Sequence, residues 1–108
     1  MGGHFTDPEY EEYNIRADVK SAQYVTENFE KPIIYIGFEV GANIFSGRNI
    51  QSASEGFPLR TAYAPYGNIK ESWDPITLYC AVRQQTALFR KSGNMKISFD
   101  FAGRTIFP

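Results

Sequence analysis

From Asp18 onward the apolar residues Val19, Ala22, Val25 and Phe29 recur at spacings of three, three and four. That period lays them on one face of an α-helix with Asp18 as its N-cap. After Lys31 and Pro32 the run Ile33-Ile34-Tyr35-Ile36 is apolar without alternation and ends at Gly37. This is the pattern of a short strand buried on both faces, as in a parallel sheet. Helix followed by such a strand predicts an α/β fold. Residues 37–57 hold Gly37, Gly41, Gly47 and Gly56 and predict turns, with one helical turn between Glu39 and Ile44. Pro58 opens a further helix as its first residue, with Leu59, Ala62, Tyr63 and Tyr66 on one face and Gly67 as the stop. Asp74-Pro75 repeats that start, and Ile76 to Val82 is apolar on nearly every side, which predicts a buried helix. Met95, Ile97, Phe99 and Phe101 then alternate with Lys96, Ser98 and Asp100, and Ala102-Gly103 turns into Arg104 to Phe107, a half-buried β-hairpin. Residues 1–17 show neither period. With Gly2, Gly3, Pro8 and the acids Asp7, Glu9, Glu11 and Glu12 they read as a surface loop.

A chain of 108 residues is sized for a single domain, and 43% hydrophobic with 16% aromatic residues is globular rather than disordered material. Eleven Lys and Arg against twelve Asp and Glu leave a net charge of −1 with no basic run. That balance argues against phosphate-driven nucleic-acid binding and against a polybasic membrane surface. Cys80 is the lone cysteine, which excludes an intramolecular disulfide framework. No apolar run approaches the ~18 to 20 residues of a membrane span, and residues 1–12 are polar and acidic where a signal peptide is basic and then apolar. The chain as given reads as soluble and untargeted, with the cytoplasm as its default compartment.

Little of the candidate chemistry stands alone. His4, with no second histidine or neighbouring cysteine, has no zinc spacing and reads as an ordinary surface histidine. Cys80 reads as a small buried hydrophobe, because reactive thiols need an electropositive setting. No phosphate-binding glycine loop occurs. The acidic run from Asp7 reads by default as a solvated loop, yet it ends in Glu12-Tyr13-Asn14, a carboxylate, an aromatic plate and an amide that suit a polyhydroxylated ligand. Asp74, before Pro75, is either a helix N-cap or a carboxylate placed to hold a hard cation. Position alone does not choose between them.

Taken in order, four segments resemble the C-terminal part of the inosine/uridine-preferring nucleoside hydrolase family. Met1-Gly2-Gly3 is similar to its Met-Gly-Gly turn, and Glu12-Tyr13-Asn14-Ile15 with Asp18 and Ala22 to its Glu-Phe-Asn-x-x-x-Asp segment. Lys31 to Gly41 (KPIIYIGFEVG) is similar to the strand and turn that follow, and Ser72 to Val82 (SWDPITLYCAV) to its late His-Asp-Pro-Leu helix start.

The resemblance implies the C-terminal portion of a parallel-sheet α/β domain whose complete form cleaves the N-glycosidic bond of ribonucleosides using a calcium-bound water. On that mapping Asp74 is a calcium ligand, Glu12 and Asn14 bind ribose hydroxyls, Met1 lines the sugar pocket and Tyr13 lies beside it. Trp73 stands where many members carry a histidine that assists the leaving base. An indole does not serve as a general acid, so Trp73 is expected to stack on the base instead. The family's D-x-D-x-x-x-D-D cluster, source of most calcium ligands and of the base, has no counterpart here. The chain alone is therefore expected to be inactive, with a nucleoside or ribose-containing molecule as ligand and with either a homo-oligomer or a missing N-terminal half covering its open surface. The alternative is a stand-alone ribose-binding or interaction module without catalysis.

Overall fold

The computed structural model describes residues 1–83 and 87–108 and mixes helices with short antiparallel strands. Helix α1 (Tyr13–Ala17) and helix α2 (Val19–Asn28) meet at Asp18. The Asp18 carboxylate accepts the Ser21 backbone N–H at 3.0 Å and the Ser21 hydroxyl at 2.7 Å, the cap its position predicts. The covered side of α2 is shifted from the predicted stripe. Val19, Ala22, Gln23 and Thr26 are half-buried, whereas Val25 and Phe29 face solvent. Gln23 reaches the Phe99 carbonyl at 2.9 Å, and the Thr26 and Tyr35 hydroxyls are hydrogen-bonded, so polar contacts fix this helix where apolar ones were expected.

Helix α3 (Phe38–Gly41) is the expected single turn. Strand β1 (Phe45–Ser46), a 3₁₀ turn over Arg48–Ser52 and helix α4 (Pro58–Tyr63) follow, with Pro58 as the first helical residue. A second 3₁₀ turn at Ala64–Tyr66 ends at Gly67 in the left-handed region, φ 66. Strand β2 (Lys70–Glu71) pairs antiparallel with β1 and leads into helix α5 (Trp73–Arg83). Strands β3 (Ser98–Phe99) and β4 (Thr105–Ile106) form the C-terminal hairpin, shorter than the alternation of residues predicts.

Several expectations from periodicity do not hold. Residues 33–36 form no strand and belong to no sheet, and both sheets among the described residues are antiparallel. Burial on both faces needs a layer on each; Tyr35 meets the Phe99 ring at 5.9 Å, while Ile34 stays 62% exposed. Helix α5 is likewise covered on one side only: Ile76 is buried, but Leu78 and Val82 are 66% and 71% exposed, and Cys80 is half-buried rather than enclosed. The helix begins at Trp73, which moves Asp74 from the cap into the first turn. Residues 1–17 err in the opposite direction. Instead of a surface loop, Gly2, Gly3 and His4 are buried and residues 13–17 are helical. Their burial comes from backbone contacts that leave no hydrophobic period: Gly2 N–H to the Ile36 carbonyl (3.1 Å), Phe38 N–H to the Gly3 carbonyl (2.8 Å), and His4 N–H to the Thr105 hydroxyl (3.0 Å).

Among the described residues the buried apolar side chains are Ile15, Ile76 and Phe99. So small a core leaves 8164 Å² of accessible surface, against roughly 6100 Å² for a compact monomer of this mass. The radius of gyration of 16.0 Å likewise exceeds the ~13 Å of a compact chain of this length.

Two outcomes follow from this packing. A Cβ on Gly41 would stand 2.5 Å from Trp73 Cδ1 and 2.7 Å from its Cα, an atom of backbone that has no room to yield. Gly41→Ala is expected to lower stability by about 1–3 kcal/mol, measured from the denaturant midpoint, and an unchanged midpoint would show that α3 and α5 do not approach so closely. In acid, Asp18 is held below its ordinary value of 3.8 by the Ser21 hydroxyl and amide, and Asp100 by the backbone amide of Arg104 and then its guanidinium. A carboxylate with a depressed folded value contributes stability that is complete above the unfolded value and lost as pH falls through the folded one. The melting temperature should therefore drop below pH 3.8, and Asp100→Asn, which keeps one acceptor oxygen, should flatten that drop. Identical acid profiles would contradict the assignment.

Candidate functional site

The first turn of a helix presents N–H groups that need acceptors from outside the helix. Glu12, the N-cap of α1, supplies them: Oε1 accepts the Asn14 N–H at 3.1 Å and Oε2 the Ile15 N–H at 3.2 Å. The same Oε2 accepts the N–H of Gly3 at 3.3 Å, which ties the chain start to the helix. Glu12 is 1% exposed. Its carboxylate thus fills three of roughly four acceptor positions with backbone amides, leaving one at Oε1.

Asn14 turns the opposite way and donates through Nδ2 toward the Met1 carbonyl at 3.5 Å and the Met1 sulfur at 3.6 Å. Met1, Glu12 and Asn14 are therefore brought together around Gly2-Gly3. Tyr13 stands between them in sequence but projects into solvent, 70% exposed.

Trp73 reaches this group through Phe38. Its indole N–H donates to the Phe38 carbonyl at 2.8 Å, and the two rings lie 5.1 Å apart. The Phe38 ring also lies 4.7 Å from Tyr10 and 5.5 Å from His4, so four rings are chained from α5 to the N-terminal segment. The Lys70 ammonium sits 5.1 Å from the Trp73 ring centroid and 4.9 Å from that of Tyr66. Sequence reasoning missed His4, Tyr10 and Phe38 as partners. The one signal near them is the Gly2-Gly3 pair, with Gly3 at φ 81, where a side chain is strained.

Asp74 is exposed in the first turn of α5. Calcium takes six to eight oxygen ligands, and among the described residues no group of three or more His, Cys, Asp or Glu side chains is placed to hold a metal ion. One carboxylate at a helix start does not amount to a calcium site, so the described residues do not by themselves fit the ion that the resemblance implies. Two open clefts lie away from the Met1–Asn14 group. One of 330 Å³ is bordered by Pro8, Glu9 and Arg104 to Phe107, and one of 600 Å³ by Phe29, Ile33, Tyr35 and Met95 to Ser98.

Glu12→Ala would strand the three amides that the carboxylate binds, and is expected to cost roughly 2–4 kcal/mol. Glu12→Gln should fall between wild type and Ala, because its amide nitrogen must face either Asn14 or the Gly3–Ile15 pair of donors. Equal stability of all three proteins in denaturant would show that Glu12 does not cap α1.

No family model, curated protein or solved structure matches this chain.

Proposed function

We propose that the chain is the C-terminal segment of a nucleoside hydrolase-like domain of parallel α/β type, whose complete form hydrolyses the N-glycosidic bond of ribonucleosides. The observation that carries this reading is that hydrogen bonds link the four motif segments, with segment 1–3 as the bridge between 12–15 and 31–41. Segment 1–3 binds segment 12–15 through Glu12–Gly3 and Asn14–Met1, and binds segment 31–41 through Gly2–Ile36 and Gly3–Phe38. Segment 31–41 binds segment 72–82 through the Trp73 indole and the Phe38 carbonyl. The excess of accessible surface also supports an incomplete domain.

In this reading the Asn14 amide and the edge of Met1 meet the ribose hydroxyls, and the exposed Tyr13 ring covers an apolar sugar or base face. Glu12 positions Asn14 through the helix start it caps, with one Oε1 acceptor position left for a hydroxyl. Trp73 stacks on the base; its N–H is already engaged, so protonation of the leaving group falls to another group. Most calcium ligands and the base that activates water would come from the part of the domain bearing the Asp cluster, with Asp74 adding one carboxylate.

The purified chain is expected to show no turnover of inosine or uridine and to self-associate in sedimentation velocity through its open apolar surface. Joined to an N-terminal half carrying the Asp cluster, it should gain calcium-dependent nucleoside hydrolysis, and Asp74→Asn should weaken that calcium dependence sharply without unfolding the protein. Equal calcium dependence in the two joined proteins would return Asp74 to a plain helix residue. Absence of hydrolysis by a folded joined protein would overturn the reading, and nucleoside binding by a monodisperse monomer of this chain would favour the stand-alone binding module.

A further inference from the structure

His4 is not the surface histidine that its loop composition suggests; it is 8% exposed, packed against the rings of Tyr10 at 4.7 Å and Phe38 at 5.5 Å, which also meet each other. Its Nδ1 accepts the backbone N–H of Asp7 at 3.0 Å and, more loosely, that of Thr6 at 3.4 Å. The same nitrogen lies 3.6 Å from Glu39 Oε2. That oxygen in turn accepts the Phe5 N–H at 3.2 Å. A ring nitrogen that accepts carries no proton, so the proton of the neutral ring resides on Nε2 and Nδ1 faces Glu39 as one acceptor faces another. A second proton must enter at Nδ1. There it opposes two N–H donors and attracts one carboxylate, and no single arrangement satisfies both sets.

The surroundings leave Glu39 as the group that responds. Among the described residues it is the one acidic side chain within 4.0 Å of the imidazole nitrogens. The Asp7 carboxylate is occupied by the Glu9 N–H at 3.0 Å, and Tyr10 presents its ring. We propose that His4 is a proton-operated latch on the turn of residues 4–7. Neutral, its Nδ1 closes the turn on the amides of Asp7 and Thr6; protonated, the same nitrogen donates to Glu39 and lets the turn go. The freed segment carries Pro8 and Glu9, which border the smaller cleft, with Glu9 paired to Arg104 at 2.9 Å. Proton uptake at a buried site thereby changes the wall of an open cleft. This inference does not depend on the proposed nucleoside chemistry.

The test is to follow the full chain by ¹H–¹⁵N spectra and amide exchange across about pH 5 to 8, the range in which an imidazole exchanges its proton. The Asp7 amide should lose protection by about tenfold, the loss of one hydrogen bond, with the same midpoint as the His4 ring protons, while Ser21 in α2 keeps its protection. Glu39→Gln keeps an acceptor for Phe5 but removes the charge that draws the proton to Nδ1, and should leave the Asp7 amide more protected at the acid end than in the unaltered chain. Protection of Asp7 that persists while the ring takes up its proton, or an acid loss of protection unchanged in Glu39→Gln, would overturn the proposal. A ring that takes up no proton anywhere in this range would overturn it equally.

Discussion

Glu12 is buried with its carboxylate divided among the amides of Gly3, Asn14 and Ile15, and the placement of the first seventeen residues depends on that division. Buried carboxylates are costly unless every oxygen has a partner, so this side chain tolerates few arrangements of the chain around it. The arrangement it selects sets Gly3 against α1, which carries Ile15 into the core and leaves Asn14 over Met1. A capping interaction thus also does the work of a tertiary one.

From Gly2-Gly3 the organisation spreads in two directions. One runs through backbone bonds to Ile36 and Phe38, and from the Phe38 carbonyl to the Trp73 indole at the start of α5. The other runs through the His4 N–H to Thr105 in the C-terminal hairpin. Within that hairpin Asp100 accepts the amides of Ala102 and Arg104 and the Arg104 guanidinium, which turns back to Glu9. Both ends of the chain therefore close on the same few residues although the apolar core is small. Directional polar contacts carry much of the specificity that packing supplies in a better-buried domain.

Periodicity made legible what local chemistry decides. Asp18 as a cap, Pro58 as a helix start, Gly67 as a stop and a C-terminal hairpin appear in the structure because each needs neighbours only a few residues away, but the predicted alternation does not extend to Phe101, which lies exposed in the turn. Burial was less legible. The apolar character of Ile34, Leu78 and Val82 predicts enclosure, but no residue character states which layer is present to cover them, and these side chains are exposed. His4 and Gly3 show the reverse, since their burial is imposed by hydrogen-bond partners dozens of residues away. For the candidate site, the sequence brought Met1, Glu12 and Asn14 under one reading, and the structure gathers these three. It did not foretell that Glu12 would use its carboxylate on backbone amides, because a carboxylate's partners are set by the fold around it.

The most direct measurement is residue-resolved amide hydrogen exchange of the intact chain. If Glu12 and the Gly2-Gly3 turn organise the four segments as one unit, the amides of Gly2, Gly3, Ile15 and Phe38 should exchange slowly and share one opening free energy, while Ile34, whose N–H has no backbone partner among the described residues, exchanges fast. Exchange of Gly2 and Gly3 at the rate of a free loop, with α2 still protected, would contradict the account.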